Sequence, residues 1–371
     1  MQQPNESSSM TRRDFFWHAA APLAVSAFAQ PLWAATSAAP LSKMGIATTS
    51  FAGAFGGGGG QGGQGGQAGG QGGGGRQGMP TIEFLEKCHA YGAGGIQAGL
   101  NGDLQKLRAR ADELGMYIEG MVSIPRNGDM TALERSLENA KAAGVTVMRA
   151  AMLGGRRYET FPKLADWKKW VDESYNALRL AMPIIEKHKV IVAVENHKDW
   201  TLEDFLKLLR TYQSEYLQVC LDFGNNISML DDPYEVIEGL APYAKSTHIK
   251  DMGVRPYEDG FLLSEVPLGT GMLDLPRIIA TVQKHNPKAK FSLEMMTRDP
   301  LKVPCLTKQY WEVFPDRNGK FLANTVKMVN EKASRNPLPM VTGLSPAERT
   351  KVEDENVKAC FRYVNEKNVI A

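Results

Sequence analysis

Residues 190–196 read VIVAVEN, and similar runs recur at 217–225 (LQVCLDFGN), 246–251 (STHIKD) and 291–296 (FSLEMM). Each run is short and apolar, which is typical of strands buried in a parallel sheet. Each also contains, near its end, a residue that can carry charge. These residues are Glu195, Asp222, His248 and Glu294. Because a parallel barrel carries its chemistry at the C-terminal ends of its strands, the pattern predicts one shared site.

The same kind of run occurs eight times along the chain, with helical patterns between the runs. The predicted strands span residues 44–50, 95–100, 116–122, 146–152, 190–195, 217–223, 246–250 and 290–295. The predicted helices span residues 81–91, 103–114, 130–143, 165–188, 202–212, 233–240, 275–285 and 319–331. Strict alternation of strand and helix predicts an α/β fold, a single-domain (β/α)8 TIM barrel over residues 44–335. A doubly wound open sheet is the alternative, but no GxGxxG follows the first strand.

Two segments lie outside this alternation. Residues 56–78 are dominated by Gly and Gln. This composition cannot build a core, so we expect a disordered Gly-rich insertion after strand 1, and a tolerated surface loop is favoured over a mobile lid. Residues 336–371 are expected to form a C-terminal helical arm, whose helix opens at Ser345-Pro346 and packs across the barrel.

The N-terminal residues are expected to form a targeting segment. Thr11-Arg12-Arg13-Asp14-Phe15-Phe16 is a twin-arginine pattern, and a modestly apolar stretch follows it. We therefore predict a twin-arginine signal peptide over residues 1–39 and export to the periplasm. Pro22 and Pro31 interrupt the apolar stretch, which is too short for a permanent membrane anchor.

Composition excludes several classes of partner. Among 371 residues, 43% are hydrophobic and 23% are charged, and the net charge is +2. Without a basic excess, neither nucleic acid nor an anionic membrane surface is expected, and a small molecule is the favoured partner. The sequence leaves open whether the chain forms a homo-oligomer. The 4 cysteines show no CxxC spacing, so buried thiols are favoured over a disulfide framework, although a Cys305–Cys360 bridge stays open.

Side-chain alternation brings the four strand-end residues to one face, each above a small residue of its own strand. Three carboxylates and one imidazole, with no thiolate, favour a hard or borderline divalent metal. We therefore predict one bound ion, Mn²⁺ or Mg²⁺, with Co²⁺ or Zn²⁺ as alternatives. The proposed ligands are Glu195, Asp222, His248 and Glu294, named the quartet below.

The motifs around the quartet resemble those of the xylose-isomerase-like TIM-barrel family of sugar isomerases and epimerases. They are Val194-Glu195-Asn196-His197, Leu221-Asp222-Phe223-Gly224-Asn225, His248-Ile249-Lys250-Asp251, Pro267-Leu268-Gly269-Thr270-Gly271 before Asp274, and Leu293-Glu294. The resemblance covers residues 44–335. In epimerases of this family the matching residues hold one divalent ion. The resemblance also implies that Glu195 and Glu294 face opposite sides of the substrate as acid and base.

This resemblance implies a metal-dependent sugar isomerase or epimerase. Proton abstraction next to a metal-bound carbonyl or hydroxyl would give an enediolate. The same intermediate could expel a leaving group, so a lyase or dehydratase acting on a keto-sugar or an oxidised glycoside is the alternative. A third hypothesis is a non-catalytic periplasmic sugar-binding protein. The presence of both Glu195 and Glu294 argues against it, because simple binding does not require two such carboxylates. Asn225 stands where family members often carry a histidine, which argues against a multinuclear zinc site and DNA repair, and weakens the case for epimerisation.

Five further residues are substrate-binding candidates. His197 and Lys250 share the face of the quartet, and Arg149 lies on the fourth strand, where a core ion pair is the competing explanation. Asn225 and Arg298 lie in loops that follow strand ends, where ordinary packing competes with substrate contact.

Overall fold

The computed structural model describes residues 41–51 and 79–370. Within them, eight parallel strands close into a barrel in the order β1-β10-β7-β6-β5-β4-β3-β2. These strands are β1 (Met44–Ala47), β2 (Gly95–Ala98), β3 (Tyr117–Val122), β4 (Val147–Ala150), β5 (Ile191–Glu195), β6 (Leu217–Asp222), β7 (Ala244–Ile249) and β10 (Lys290–Leu293). The predicted TIM barrel is confirmed.

The main helices lie outside the barrel and follow the predicted positions. They are α1 (Thr81–Ala90), α2 (Leu104–Leu114), α3 (Thr131–Ala142), α5 (Leu164–His188), α6 (Leu202–Tyr212), α7 (Pro233–Leu240), α8 (Leu275–His285) and α10 (Gly319–Lys332), and the short helices are α4 (Arg157–Thr160) and α9 (Lys308–Trp311). Local capping fixes several starts, since Thr201 and Asp204 form a capping box and Asp232 caps a helix with proline at its first position. Each main helix buries an apolar face, as α6 does with Phe205, Leu208 and Leu209.

A small antiparallel sheet, which the strand count did not predict, takes two strands from the segment between β7 and α8 and a third strand from the segment after β10. Its strands are β8 (Asp251–Tyr257), β9 (Gly260–Val266) and β11 (Leu301–Val303), in the order β11-β9-β8. Gly260 begins β9 with φ of 152°, and a Cβ there would lie 2.2 Å from the Val303 carbonyl oxygen, so the turn requires glycine. Because β8 begins two residues after β7 ends, the sheet stands at the C-terminal end of the barrel, beside the quartet.

The predicted C-terminal helix is α11 (Pro346–Lys367), which opens with a capping box between Ser345 and Glu348. It buries Val357, Cys360, Phe361 and Val364. All four cysteines are buried free thiols, so the Cys305–Cys360 bridge that the sequence left open is not formed. No helix within residues 41–51 and 79–370 is both long and apolar enough to cross a membrane. The predicted signal peptide and Gly-rich insertion lie outside the described residues.

Candidate metal centre

The quartet converges at the C-terminal end of the barrel. One ligand atom from each of its four side chains lies within 4.8 Å of the others, and all four residues are buried. The strand register explains this convergence, because Asp222 pairs with His248 across β6 and β7. Glu294 follows β10 directly, and its backbone N–H donates to the Ile249 carbonyl at 3.0 Å. The sequence prediction that these residues share one site agrees with this geometry.

His248 turns its Nδ1 atom towards the three carboxylates. Nδ1 lies 3.5 Å from Glu195 Oε1, 3.7 Å from Asp222 Oδ2 and 3.6 Å from Glu294 Oε2. No side chain or backbone group of the described residues makes a hydrogen bond with Nδ1. Two ligands bonded to one ion at about 2.1 Å lie about 3.0–3.4 Å apart for angles of about 90–110°. The three spacings to His248 Nδ1 are a few tenths of an ångström wider, and all four ligand atoms lie within 4.8 Å of one another, so the donor set suits one divalent ion.

A buried chain of side chains fixes the orientation of His248. Its Nε2 atom lies 2.7 Å from Gln97 Oε1. The Gln97 amide nitrogen donates at 3.1 Å to both Glu119 Oε2 and Ser246 Oγ, which leaves its oxygen to accept from Nε2. An imidazole that donates through one nitrogen presents the other as a metal ligand. The sequence analysis missed Gln97 and Glu119, although a polar side chain on a barrel strand was the available signal.

Positive side chains hold the quartet's two glutamates in the ionised form. Arg149 Nε donates to Glu195 Oε2 at 2.7 Å, and a second guanidinium nitrogen donates to the same oxygen. Burial opposes ionisation of Glu195, but Arg149 and His248 hold its pKa well below the usual range. Burial likewise opposes ionisation of Glu294, whose pKa Lys250 and His248 lower. Both glutamates are therefore available as metal ligands and proton acceptors at neutral pH.

The charges around His248 raise its pKa, whereas those around the two glutamates lower theirs. Burial disfavours protonation, yet the negative charges of Glu294 and Glu195 help to raise the pKa of His248 well above its usual range. A metal ion held by the quartet would require His248 Nδ1 to be free of its proton, so binding of the ion would release protons.

The loop after β6 positions Asp222. The backbone N–H groups of Gly224 and Asn225 donate to its Oδ1 at 2.9 and 2.8 Å. The second carboxylate oxygen, Oδ2, stays directed towards His248 and lies 2.8 Å from Lys250 Nζ. A Cβ at Gly224 would lie 2.5 Å from the Met252 side chain, which explains the glycine of the Asp-Phe-Gly-Asn motif.

The predicted substrate-binding residues all lie around the quartet, and most of them have partners. Lys250 contacts Asp222 and Glu294, and Asn225 Nδ2 donates to Glu195 Oε1 at 2.9 Å. His197 is partly exposed, its Nδ1 has no hydrogen-bond partner among the described residues, and burial with the nearby Lys198 charge lowers its pKa to about 3. His197 is therefore a neutral imidazole.

Arg298 holds a carboxylate that the sequence analysis missed. Its Nη2 and Nε atoms donate to Glu265 Oε1 and Oε2 at 2.6 and 3.1 Å, a bidentate ion pair. Glu265 lies on β9, is almost fully buried, and approaches Lys250 Nζ to 3.9 Å. Burial opposes its ionisation, but Arg298 and Lys250 lower its pKa to about 2. Strand β9 therefore supplies a wall of the site through Glu265, and both donors of the bidentate pair from Arg298 are engaged with that carboxylate.

With this geometry established, comparison with known proteins assigns the family. The sequence profile of the xylose isomerase-like TIM barrel family matches residues 81–313. The chain belongs to this family, as the motifs around the quartet indicated.

Among curated proteins, a 3-oxo-isoapionate decarboxylase of Pectobacterium atrosepticum is 31% identical over 193 residues. The match covers 51% of this chain and 65% of that protein, so it spans slightly less than two thirds of the relative's length.

Solved structures share the fold at low sequence identity. A D-psicose 3-epimerase, crystallised in the presence of D-fructose, is 12% identical with a TM-score of 0.50, over 79% of this chain and 94% of that one. A xylose isomerase-like TIM barrel protein from Mycobacterium smegmatis in complex with magnesium is 15% identical with a TM-score of 0.43, over 66% of this chain and 89% of that one.

Proposed function

We propose that the protein is a divalent-metal-dependent sugar isomerase or epimerase that moves a proton on a carbon next to a carbonyl group. The observation that carries this proposal is the convergence of four buried ligand atoms within 4.8 Å, two of them from ionised glutamates on separate strands. Three carboxylates and one imidazole suit Mn²⁺ or Mg²⁺. The substrate proposed is a small sugar or sugar derivative, in keeping with the family.

The two glutamates approach the site from different directions. Glu195 ends β5 and Glu294 follows β10, and β6 and β7 lie between them in the barrel. Glu195, Asp222, His248 and Glu294 would hold the divalent ion, which would stabilise the negative charge that develops on a substrate oxygen when a C–H bond breaks. Glu294 and Glu195 then serve as the carboxylates that accept and return the proton.

The surrounding cations have distinct tasks in this scheme. Arg149 holds the Oε2 atom of Glu195, and Asn225 holds Oε1, so the orientation of this glutamate is fixed on both oxygens. Lys250 donates to Glu294 Oε2. A base oriented by fixed hydrogen bonds needs little reorganisation when it reacts. Lys250 is also the buried ammonium best placed to stabilise an oxyanion beside Glu294.

A decarboxylase is the second candidate function. The decarboxylase relative favours it, since its name states the reaction. When a 3-oxo acid loses carbon dioxide, an electron pair remains on the carbon beside the carbonyl. Removal of a proton from that carbon leaves the same electron pair, so one site can serve both reactions.

We also propose that the protein is exported to the periplasm, because residues 11–16 form a twin-arginine pattern.

Incubation of the Mn²⁺-loaded protein in D₂O with keto-sugars and with sugar-derived 3-oxo acids tests this proposal. Deuterium incorporation into intact sugar, followed by NMR, is the expected result for an isomerase or epimerase. Release of carbon dioxide from the oxo acids would instead establish the decarboxylase.

Glu294→Gln should remove either activity, and Glu83→Gln, at an exposed residue of α1, is the matched control. Turnover that persists in Glu294→Gln, or without any divalent metal, would contradict the mechanism.

A further inference from the structure

Lys198 differs from the other cations of the site because it lacks an acidic partner. It follows β5 and only 3% of the residue is exposed. Its Nζ donates to the neutral amide oxygen of Asn225. Among the described residues, no carboxylate oxygen lies within 4.0 Å of Nζ.

The neighbouring cations are paired with carboxylates. Arg149 pairs with Glu195, and Lys250 contacts Asp222 and Glu294. Arg298 pairs with Glu265. Unlike these three cations, Lys198 makes no ion pair with any of the four carboxylates.

A buried ammonium with one neutral partner is unfavourable. Transfer of a charged group out of water is offset only by an opposite charge or a full set of hydrogen bonds. An ammonium has three N–H donors, and Asn225 is its only side-chain acceptor among the described residues. Burial, together with the positive charges of Lys250 and Arg298, lowers the pKa of Lys198 to about 8. This residue therefore has unused capacity to bind an anion.

The position of Lys198 places that capacity beside the reactive centre. The Asn225 side chain connects the two, because its Oδ1 accepts from Lys198 and its Nδ2 donates to Glu195 Oε1 at 2.9 Å. An anion held at Lys198 is thus one amide group away from a quartet glutamate. A divalent ion in the quartet would add further positive charge to this region.

We propose that Lys198 binds a carboxylate of the substrate, which makes the substrate a keto-sugar acid rather than a neutral sugar. This inference rests on the proposed function, because it places the carboxylate next to the carbon at which that function acts. A carboxylate suits the site better than a phosphate, since one lysine supplies a single positive charge and three donors. Lys198 is then a specificity-determining residue of the quartet site.

Isothermal titration of the Mn²⁺-loaded full chain with 2-keto-D-gluconate and with D-fructose tests this assignment. The two ligands differ in having a carboxylate or a hydroxymethyl group at the same carbon. The wild-type protein should bind the acid about ten- to hundredfold more tightly, the gain typical of charged hydrogen bonds. Lys198→Met should remove this preference while changing D-fructose affinity less than about twofold, and Lys198→Arg should retain part of it.

The control variant is Lys207→Met, at an exposed residue of α6, which should behave as wild type. The proposal would be overturned if the wild type bound both ligands with equal affinity, or if it showed no measurable binding of the keto acid. A preference that persists in Lys198→Met would also overturn it, as would tighter Lys198-dependent binding of D-fructose 1-phosphate than of the keto acid. Deuterium exchange on neutral keto-sugars is a separate measurement, so the proposed reaction can stand when the carboxylate assignment fails.

Discussion

Replacement of Lys198 by methionine should make the metal-free protein more stable. Burial and the neighbouring positive charges lower the pKa of this lysine from 10.5 to about 8. At 1.36 kcal/mol for each pKa unit, this lowering corresponds to a folding penalty of about 3 kcal/mol at neutral pH. Methionine has a similar length and no charge, so the variant escapes this penalty. Loss of the hydrogen bond to Asn225 offsets about 1 kcal/mol, which leaves a net gain of about 2 kcal/mol.

The pH dependence gives the prediction a second signature. Because the folded-state pKa lies below the unfolded one, the unfolded chain binds more protons between pH 8 and pH 10.5. The penalty is therefore fully present below about pH 8 and disappears as the pH approaches 10.5. The free energy of unfolding of the wild type should therefore rise as the pH rises through that window. Lys198→Met should show no such rise, because methionine does not titrate.

Urea unfolding of the chelator-treated protein at pH 7 and pH 10 measures both effects. Lys198→Met should unfold at higher urea than wild type at pH 7, with a smaller difference at pH 10. Lys207→Met should match the wild type at both values, because Lys207 is exposed. A variant that is less stable than wild type at pH 7, or a difference that does not change with pH, would refute the reasoning and assign Lys198 a structural role.

Three further predictions concern the quartet. Asp222→Asn removes one charged ligand and should weaken Mn²⁺ binding by more than about 100-fold in calorimetric titration, and unchanged affinity would exclude Asp222 as a ligand. Gln97→Met removes the acceptor that lies 2.7 Å from His248 Nε2. Although Gln97 is not a proposed ligand, this variant should weaken Mn²⁺ affinity by about 10–100-fold, because His248 loses the group that orients it. Gln105→Met, at an exposed residue of α2, is the control. Glu294→Gln should lower turnover by at least about 100-fold with an unchanged circular dichroism spectrum, and activity near that of wild type would remove Glu294 from proton transfer.

Local signals explain why so much of the barrel could be predicted. Apolar runs and helix caps act over a few residues, so the pattern that placed strand five at 190–195 needed no tertiary information. The observed strand β5 is Ile191–Glu195. The convergence of the quartet also followed, because parallel strands in a closed barrel bring their C-terminal ends together.

The unpredicted features depend on long-range contacts. Gln97 and Glu119 are separated from His248 by more than a hundred residues, and only closure of the barrel brings their side chains together. Glu265 lies on β9, and its role depends on Arg298 from a different loop. No strand was predicted between β7 and α8, although Asp259-Gly260 between alternating apolar residues is a recognisable hairpin signal.

The sheet of β8, β9 and β11 separates two kinds of evolutionary constraint in this molecule. The reactive quartet belongs to the barrel, whose register leaves each ligand little freedom. Glu265 lies on β9, in the hairpin of β8 and β9, whose strands do not join the barrel sheet. Substitutions in that hairpin can reshape this wall of the site while the quartet keeps its position in the barrel. Descendants of such a chain can thus acquire new substrates by altering one hairpin, with the chemistry inherited intact.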